Sequence, residues 1–264
     1  MKMRIVVFSP HPDDVEIGIG GTIIKLLRAN CQVTIVYMTD GRYGSPFFTP
    51  EELIKIRREE ARRAREFLGV EEFIEFGIED GTISTLTKNQ KRKIKEQIGE
   101  LLANVDGIFI PTKADLHADH KATHDLVCEV IKEGNIDNIL VLKYFVWFFP
   151  DFFKKNLDPA EQIWVVRLSE QEMDRKLEAI RCHSSQIKNR EYDQMAKSIN
   201  RYLAIIFKSP PFSEVIGIFN VSKKLNWFAN LIKECKNVTT ISHGLKSNNS
   251  TAFNIRHTAT PRYA

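Results

Sequence analysis

The chain has 264 residues, of which 43% are hydrophobic and 27% are charged, and its formal net charge is +4 at pH 7. This composition is typical of a soluble globular protein, and no apolar run approaches the roughly 20 residues that a membrane helix needs. The length suits one large α/β domain or two small ones, and we favour one domain. Basic residues are interleaved with glutamates in amphipathic helical patterns, which argues against a nucleic-acid-binding surface. The N-terminus runs directly into a strand, so we expect no signal peptide and a cytoplasmic protein.

The cysteines also favour a reducing compartment. None of the four is spaced as a Cys-x-x-Cys pair, so we expect reduced, mostly buried thiols and neither disulfides nor a thiolate zinc site. They are Cys31, Cys128, Cys182 and Cys235.

The first predicted strand is the apolar run from Ile5 to Phe8. It ends at a rigid Pro10-His11-Pro12 turn, and two carboxylates, Asp13 and Asp14, follow directly. Open parallel sheets bind their ligands at the carboxyl ends of their strands. One imidazole and two carboxylates at this position therefore indicate half of a metal site.

Strands and helices alternate from there to about residue 132. The pattern predicts helices over 22–29, 49–68, 88–104 and from about 120 to 132, and strands over 32–38, 72–76 and 107–111. This alternation predicts a doubly wound, Rossmann-like α/β fold with a mainly parallel sheet and helices on both faces.

The pattern is less regular after residue 139. We predict strands over 139–149, 162–168 and 213–219 and helices over 170–182 and 193–206. The aromatic run 144–149 is more typical of a hydrophobic core than of a binding surface. The predicted domain covers 1–220, and 221–264 holds one more helix, near 223–235, and a polar tail of unknown role. We expect His183 to be structural and His243 and His257, in the tail, to be solvated.

The second half of the metal site is expected in the loop His117-Ala118-Asp119-His120, which follows the strand at 107–111. Catalytic zinc sites use three N or O ligands and keep one position open for water. His11 and Asp14 converge at a spacing of three, and His120 is the favoured third ligand. His117 is then the acid or oxyanion partner, although spacing alone does not separate the two histidines.

Asp13 is left free to take a proton from metal-bound water as general base, which implies hydrolysis of an amide or ester. An aspartate before a helix is more often an N-cap, and a lone loop histidine is usually a surface residue. Two His/Asp clusters at strand ends make that coincidence much less probable. A His120/His124 metal pair is an alternative, but it leaves the first cluster without a role.

A different class of protein is a metal-free Rossmann-like nucleotide-binding module. The first strand-to-helix turn lacks Gly-x-Gly-x-x-Gly and places two carboxylates where a pyrophosphate needs positive potential. The sequence therefore argues against this class.

The motifs form an ordered set over about residues 4–125. They are Pro10-His11-Pro12-Asp13-Asp14, Gly20-Gly21-Thr22, Thr39-Asp40-Gly41, Arg57 with Glu60 ahead of Leu68-Gly69-Val70, Asp80-Gly81 and His117-Ala118-Asp119-His120, with weaker matches at His183-Ser184-Ser185-Gln186 and Ser213-Glu214. This set resembles the LmbE-like (PIG-L type) zinc-dependent de-N-acetylases.

The resemblance implies roles for seven residues. The implied metal ligands are His11, Asp14 and His120, the general base is Asp13, and the oxyanion-stabilising or acid group is His117. Arg57 and Asp80 match substrate-binding positions, which contact the hydroxyls of the sugar or neighbouring groups. Asp119 suits a carboxylate behind the ligands or a helix cap.

The resemblance also implies the reaction. The expected substrate is an N-acetylglucosamine-type sugar or conjugate that loses its acetyl group, and another small amide is the alternative. Several family members are homo-oligomers, so we expect the same of this chain. A His/His/Asp site favours Zn²⁺ here but also accepts Fe²⁺, Co²⁺ or Mn²⁺.

Overall fold

The computed structural model of the protein describes residues 2–147, 162–188, 190–219, 228 and 238–241. Within them the strands are β1 Arg4–Ser9, β2 Gln32–Thr39, β3 Glu72–Ile78, β4 Gly107–Pro111, β5 Leu140–Tyr144, β6 Gln162–Leu168, β7 Phe212–Ile218 and β8 Val238–Ile241. The α-helices are α1 Asp14–Arg28, α2 Pro50–Leu68, α3 Lys88–Leu102, α4 Ala118–Glu133, α5 Glu170–Arg181, α6 Ser184–Ile187 and α7 Tyr192–Ile206.

The strands form one sheet in the order β3-β2-β1-β4-β5-β7-β6-β8. Neighbours from β3 to β5 are parallel, whereas β7 pairs antiparallel with β5 and β6, and β8 pairs antiparallel with β6. The predicted Rossmann-like α/β fold with a mainly parallel sheet is confirmed. The chain moves from β1 to β2 on one side and later to β4 on the other, so the ends of β1 and β4 form a topological switch point.

Helices cover both faces of the sheet, as predicted. Alternate residues of β1 point in opposite directions, so Ile5 and Val7 join a cluster with α1, α2, α5 and α7. Val6 and Phe8 join a second cluster with α3 and α4. Burial on both faces explains why β1 is a continuous apolar run.

The helix α2 begins and ends where its sequence predicts. Thr49 and Glu52 form a capping box at its start, with Pro50 as its first residue, and Gly69 ends it in the left-handed conformation at φ 82°. These local signals depend on the backbone alone, so they can be read without the rest of the fold.

Two helix starts differ from the prediction. The helix α1 begins at Asp14, eight residues before the predicted start, and Ile19 (φ −139°, ψ 21°) breaks it internally before Gly20. The glycine pair therefore follows a break in a longer helix. The helix α4 begins at Ala118, so His120 lies in its first turn and not in the preceding loop.

The C-terminal part of the described chain adds to the same sheet. The strand β8 comes from the polar segment 221–264, where no strand was predicted, and pairs with β6. The predicted helix near 223–235 lies outside the described residues except for buried Phe228, and so do Cys235, His243 and His257. The strand β5 ends at Tyr144, and Phe145 and Val146 after it are buried, as core residues would be.

None of the described helices combines the length and the apolar character that crossing a membrane requires.

Candidate active site

The turn between β1 and α1 supplies the first half of the site. Asp14 Oδ2 accepts a hydrogen bond from the backbone N–H of His11 at 2.8 Å, which closes the turn. The same oxygen lies 3.1 Å from His11 Nδ1. Both side chains are nearly buried, with 8% of His11 and 4% of Asp14 exposed. The turn therefore brings the two predicted ligands to one point.

The first turn of α4 supplies the second half. Because β4 neighbours β1, the loop after β4 faces the loop after β1 across the switch point. His120 Nε2 lies 3.2 Å from Asp14 Oδ2 and 3.3 Å from His11 Nδ1. Three atoms from two distant segments thus form a nearly equilateral triangle.

The size of this triangle suits a tetrahedral metal ion. Two ligand atoms bound at about 2.0–2.1 Å with a tetrahedral angle lie about 3.3–3.4 Å apart. The edges of the triangle, 3.1–3.3 Å, are close to that spacing. Two other triads, His11/His117/His120 and His11/Asp80/Asp119, have ligand atoms within 4.8 Å of one another. We favour the Asp14 triad because all three of its edges match a tetrahedral ion.

The charges in this triad favour a bound cation. Burial lowers the pKa of the imidazoles and raises the pKa of the carboxyl group, but the attraction between imidazole and carboxylate outweighs this effect of burial. Asp14 holds the pKa of His11 well above its usual value and, with Asp115, raises the pKa of His120 to about 9. The imidazoles hold the pKa of Asp14 well below its usual range. Because metal ligands must be deprotonated, a divalent cation would compete with protons for these imidazoles.

The outward nitrogen of each histidine in the triad faces a carboxylate. His11 Nε2 lies 3.2 Å from Asp80 Oδ1 and 3.3 Å from Asp119 Oδ2, and His120 Nδ1 lies 2.8 Å from Asp115 Oδ2. Such contacts orient metal-ligating imidazoles and increase their basicity. Sequence reasoning missed Asp115, although it lies in the polar loop that leads to His117 and α4.

Asp119 is the buried carboxylate behind the site. It is fully buried, and its carboxylate accepts hydrogen bonds from Gly81 N at 2.7 Å and Ile83 N at 3.3 Å. It thereby joins the loop after β3 to the start of α4 and holds Asp80 near His11. This is the arrangement expected of a carboxylate behind the ligands.

Asp13 stands next to the triad and is paired with an arginine from α2. Its Oδ1 lies 2.9 Å from Arg57 Nη2. The guanidinium also donates to Pro12 O and Gly41 O, each at 3.1 Å. The Asp13 side chain makes no capping hydrogen bond to α1, so the N-cap alternative does not account for it.

Arg57 contacts groups of the protein that neighbour the site. The residue is 2% exposed, and its guanidinium is directed at Asp13 and two backbone carbonyls. On the buried face of α2 it lies with Leu53 and Ala61, so it is not the solvent-facing charge that its helix pattern favours.

His117 caps α4 and lies at the edge of the site. Its Nδ1 accepts a hydrogen bond from Asp119 N at 3.3 Å, and its ring meets that of His11 edge-on with centroids 4.6 Å apart. Partial burial and the charges of His11 and His120 lower the pKa of His117, so the ring is neutral at pH 7. The residue itself is exposed, so a substrate can reach it.

Two other histidines lie apart from the triad. His124 Nδ1 contacts Pro111 O at 2.8 Å, and this contact does not support the alternative metal pair with His120. His183 is buried, with its Nε2 3.8 Å from Glu16 Oε2, and it precedes α6. Ser185, two residues later, donates its backbone N–H to Glu60 at 2.7 Å, so this turn packs behind the site.

The fold and the site together define a class: Rossmann-like α/β proteins with a candidate His/Asp/His metal triad at the switch point of the sheet. Residues 6–131 match the model of the PIG-L family, described as GlcNAc-PI de-N-acetylase. The matched range contains the whole triad, Asp13 and His117. This match covers slightly less than half of the chain, and it is to the same PIG-L (LmbE-like) de-N-acetylases that the motifs predict.

Individual relatives agree with this assignment. A probable N-acetyl-alpha-D-glucosaminyl L-malate deacetylase 2 of Bacillus anthracis is 28% identical over 191 residues, which cover 70% of this chain and 82% of the relative. The diacetylchitobiose deacetylase of Thermococcus kodakarensis is 28% identical over 206 residues, which cover 69% and 70%. The predicted enzyme class, a de-N-acetylase, is confirmed.

The fold has solved counterparts. The structure of N,N'-diacetylchitobiose deacetylase from Pyrococcus horikoshii superimposes with a TM-score of 0.63 over 85% of this chain and 88% of the other, at 22% identity. At this identity the likeness bears on the fold alone.

Proposed function

We propose that this protein is a zinc-dependent hydrolase that removes the N-acetyl group from an N-acetylglucosamine-type sugar or conjugate. The triangle of His11 Nδ1, Asp14 Oδ2 and His120 Nε2 is the observation that carries the proposal. Its size suits zinc, and it lies where open α/β sheets bind ligands. The deacetylase names of the relatives support the substrate class.

The donor set supports zinc. Two imidazole nitrogens and one carboxylate oxygen form a three-ligand set of the kind found in catalytic zinc sites. A bound metal would lower the pKa of the attacking water and polarise the acetamide carbonyl. The same donors accept Fe²⁺, Co²⁺ or Mn²⁺, so metal availability in the cell selects among them.

Asp13 is the proposed general base. Arg57 holds Asp13 Oδ1, and a carboxylate can accept a proton on either oxygen. Asp13 takes a proton from the attacking water as the oxygen adds to the carbonyl carbon. When the C–N bond breaks, Asp13 returns this proton to the leaving nitrogen, so acetate and a free amine are released.

His117 is the proposed oxyanion donor. Its Nδ1 accepts the Asp119 N–H, so the proton of the neutral ring sits on Nε2. That N–H can donate to the oxygen that becomes negative during attack. A neutral imidazole is a poor acid, which leaves the delivery of the proton to Asp13. Between the two roles left open by the sequence, these observations support the oxyanion partner.

Asp80 is the proposed sugar ligand. Its Oδ2 accepts a hydrogen bond from Tyr43 N at 3.2 Å, and its Oδ1 faces His11, so the carboxylate has a fixed position at the site. A carboxylate is a suitable acceptor for sugar hydroxyls. Arg57 acts on the substrate indirectly in this proposal, through the orientation of Asp13. Asp80 and Arg57 thus have separate roles.

Two further expectations remain proposals. Among the described residues, Cys128 and Cys182 are free thiols, which supports a cytoplasmic location. Assembly into a homo-oligomer stays an expectation from the family resemblance.

Acetate release tests the function. The purified protein is incubated with N-acetylglucosamine, diacetylchitobiose, N-acetylglucosaminyl malate and an N-acetylated amino acid, each with and without a chelator. We expect acetate from at least one sugar, loss of release with chelator and recovery with added Zn²⁺. Release from the amino acid alone would favour the small-amide alternative, and release that survives metal removal would refute the metal mechanism.

A further inference from the structure

The break in α1 creates a need for hydrogen-bond acceptors. Ile19 leaves the helical conformation and separates the first turn, which begins at Asp14, from the segment that starts at Gly20. In an unbroken helix, the N–H groups of Gly21 and Thr22 would bond to carbonyls on the other side of Ile19. These groups are buried, where an unpaired N–H is costly.

A carboxylate from the distant strand β7 meets this need. Glu214 Oε1 accepts the N–H of Gly21 at 2.9 Å, and Oε2 accepts the N–H and the hydroxyl of Thr22 at 2.7 and 2.6 Å. The carboxylate thus caps the second segment of α1, where the helix dipole favours negative charge. Glu214 is fully buried, and 193 residues separate it from Gly21.

A buried cation balances the charge of Glu214. Lys176 Nζ, fully buried on α5, donates to Glu214 Oε1 at 2.7 Å and to Asn200 Oδ1 at 2.8 Å. Burial lowers the pKa of Lys176, and the Glu214 carboxylate opposes this change. The break is therefore held by α5, α7 and β7 together.

Close packing prevents the second segment from shifting. A Cβ added at Gly21 would lie 2.4 Å from Leu168 Cδ1 on β6. The segment can approach the sheet only because Gly21 has no side chain. With this segment locked, the conformation at Ile19 determines the direction of the first turn, and with it the direction of Asp14.

We propose that Glu214 is a positioning residue for the metal triad: by capping the break in α1, it sets the orientation of Asp14 relative to His120. The inference relies on the proposed function in that the triad binds zinc. Without the cap, straightening of α1 across Ile19 becomes favourable, because the N–H groups of Gly21 and Thr22 then bond to carbonyls within the helix. Straightening would rotate Asp14 away from its place beside His120.

Zinc affinity of the full-length protein tests this role without substrate. Zn²⁺ binding is measured by chelator competition for wild type, Glu214→Gln and the double variant Glu214→Leu/Lys176→Met. The double variant removes both buried charges, a change that is often neutral for stability. We expect both variants to bind Zn²⁺ about 10-fold more weakly, as for residues that orient metal ligands. We also expect a lower kcat with little change in KM.

A matched control distinguishes positioning from general stability. Glu172 is a buried carboxylate that pairs with Lys25 and Arg28 near the far end of α1, away from the break. Glu172→Gln should lower thermal stability and leave zinc affinity within twofold of wild type. Amide hydrogen exchange at Gly21 should increase in the Glu214 variants and stay unchanged in the control.

Several results would overturn the inference. A stable double variant with wild-type zinc affinity would show that Glu214 serves stability alone. If the double variant does not fold, wild-type zinc affinity in Glu214→Gln would refute the inference instead. A loss of zinc affinity in Glu172→Gln equal to that in the Glu214 variants would also refute it. Failure of the proposed function gives different results. A wild-type protein that does not bind zinc would refute the zinc mechanism, and a wild-type protein that binds zinc but deacetylates no sugar would refute only the substrate class.

Discussion

Replacement of Asp13 by asparagine separates the general base from the metal ligands. The variant keeps the size and shape of the side chain, and its amide oxygen can still accept from Arg57 Nη2, now 2.9 Å from Asp13 Oδ1. It cannot accept a proton from water. Loss of a general base reduces the rate by about 10²–10⁴-fold, which raises the barrier by about 3–5 kcal/mol.

The same structure predicts a small effect on folding. The Arg57 contact changes from an ion pair to a hydrogen bond in which only the guanidinium is charged, and this change weakens the contact by about 1–2 kcal/mol. We therefore expect the free energy of unfolding of Asp13→Asn to fall by about 1–2 kcal/mol. Zinc content should stay at the wild-type level, because Asp13 is not part of the triad.

Acetate release, zinc content after dialysis and denaturant unfolding measure these three quantities in one preparation. Asp125→Asn is a matched control, since Asp125 is an exposed aspartate that pairs with Lys113 at 2.8 Å. This control should change neither activity nor metal content. Turnover by zinc-loaded Asp13→Asn above one-tenth of wild type would refute the general base, and loss of zinc would show that Asp13 is itself a ligand.

Three other changes test the site. Asp14→Ala should lose both zinc and acetate release, and stoichiometric zinc after dialysis would contradict its role as a ligand. In the metal-free protein the pKa of His120 is raised from 6.5 to about 9, so protonated His120 stabilises the fold fully below pH 6.5, and this stabilisation is lost as the pH rises through 9. Zinc should bind more tightly as the pH rises over the same interval. Denaturation and zinc-binding profiles that do not change with pH would refute this linkage. A Cβ at Gly41 (φ +64°) would lie 2.4 Å from Arg57 Nη1, so Gly41→Ala should cost about 1–3 kcal/mol and reduce turnover. Gly77→Ala, with the same φ and no atom within 4 Å of the added Cβ, should leave turnover unchanged.

Features that depend only on neighbouring residues could be predicted from the sequence. The apolar run of β1, the capping box of α2 and the alternation of strands and helices are local, and they were enough for the mainly parallel α/β fold. His11 and Asp14 could be paired because the turn between them is three residues long. The ordered motifs were enough to identify the family.

Contacts between distant side chains could not be predicted from local patterns. Spacing could not choose between His117 and His120, because the choice depends on the position of α4 across β1 and β4. A helical pattern makes Arg57 a surface charge, whereas the fold buries it against Asp13. The contact of Asp115 with His120 depends on the path of the loop after β4, which the sequence does not show.

The C-terminal half shows the same limit. The position of β7 between β5 and β6, and the pairing of β8 with β6, follow from antiparallel contacts over long sequence separations. Glu214 shares no local pattern with the α1 segment that it caps, 193 residues away. Periodicity shows that a residue is buried but does not show its partner, because the partner depends on how the elements pack in three dimensions.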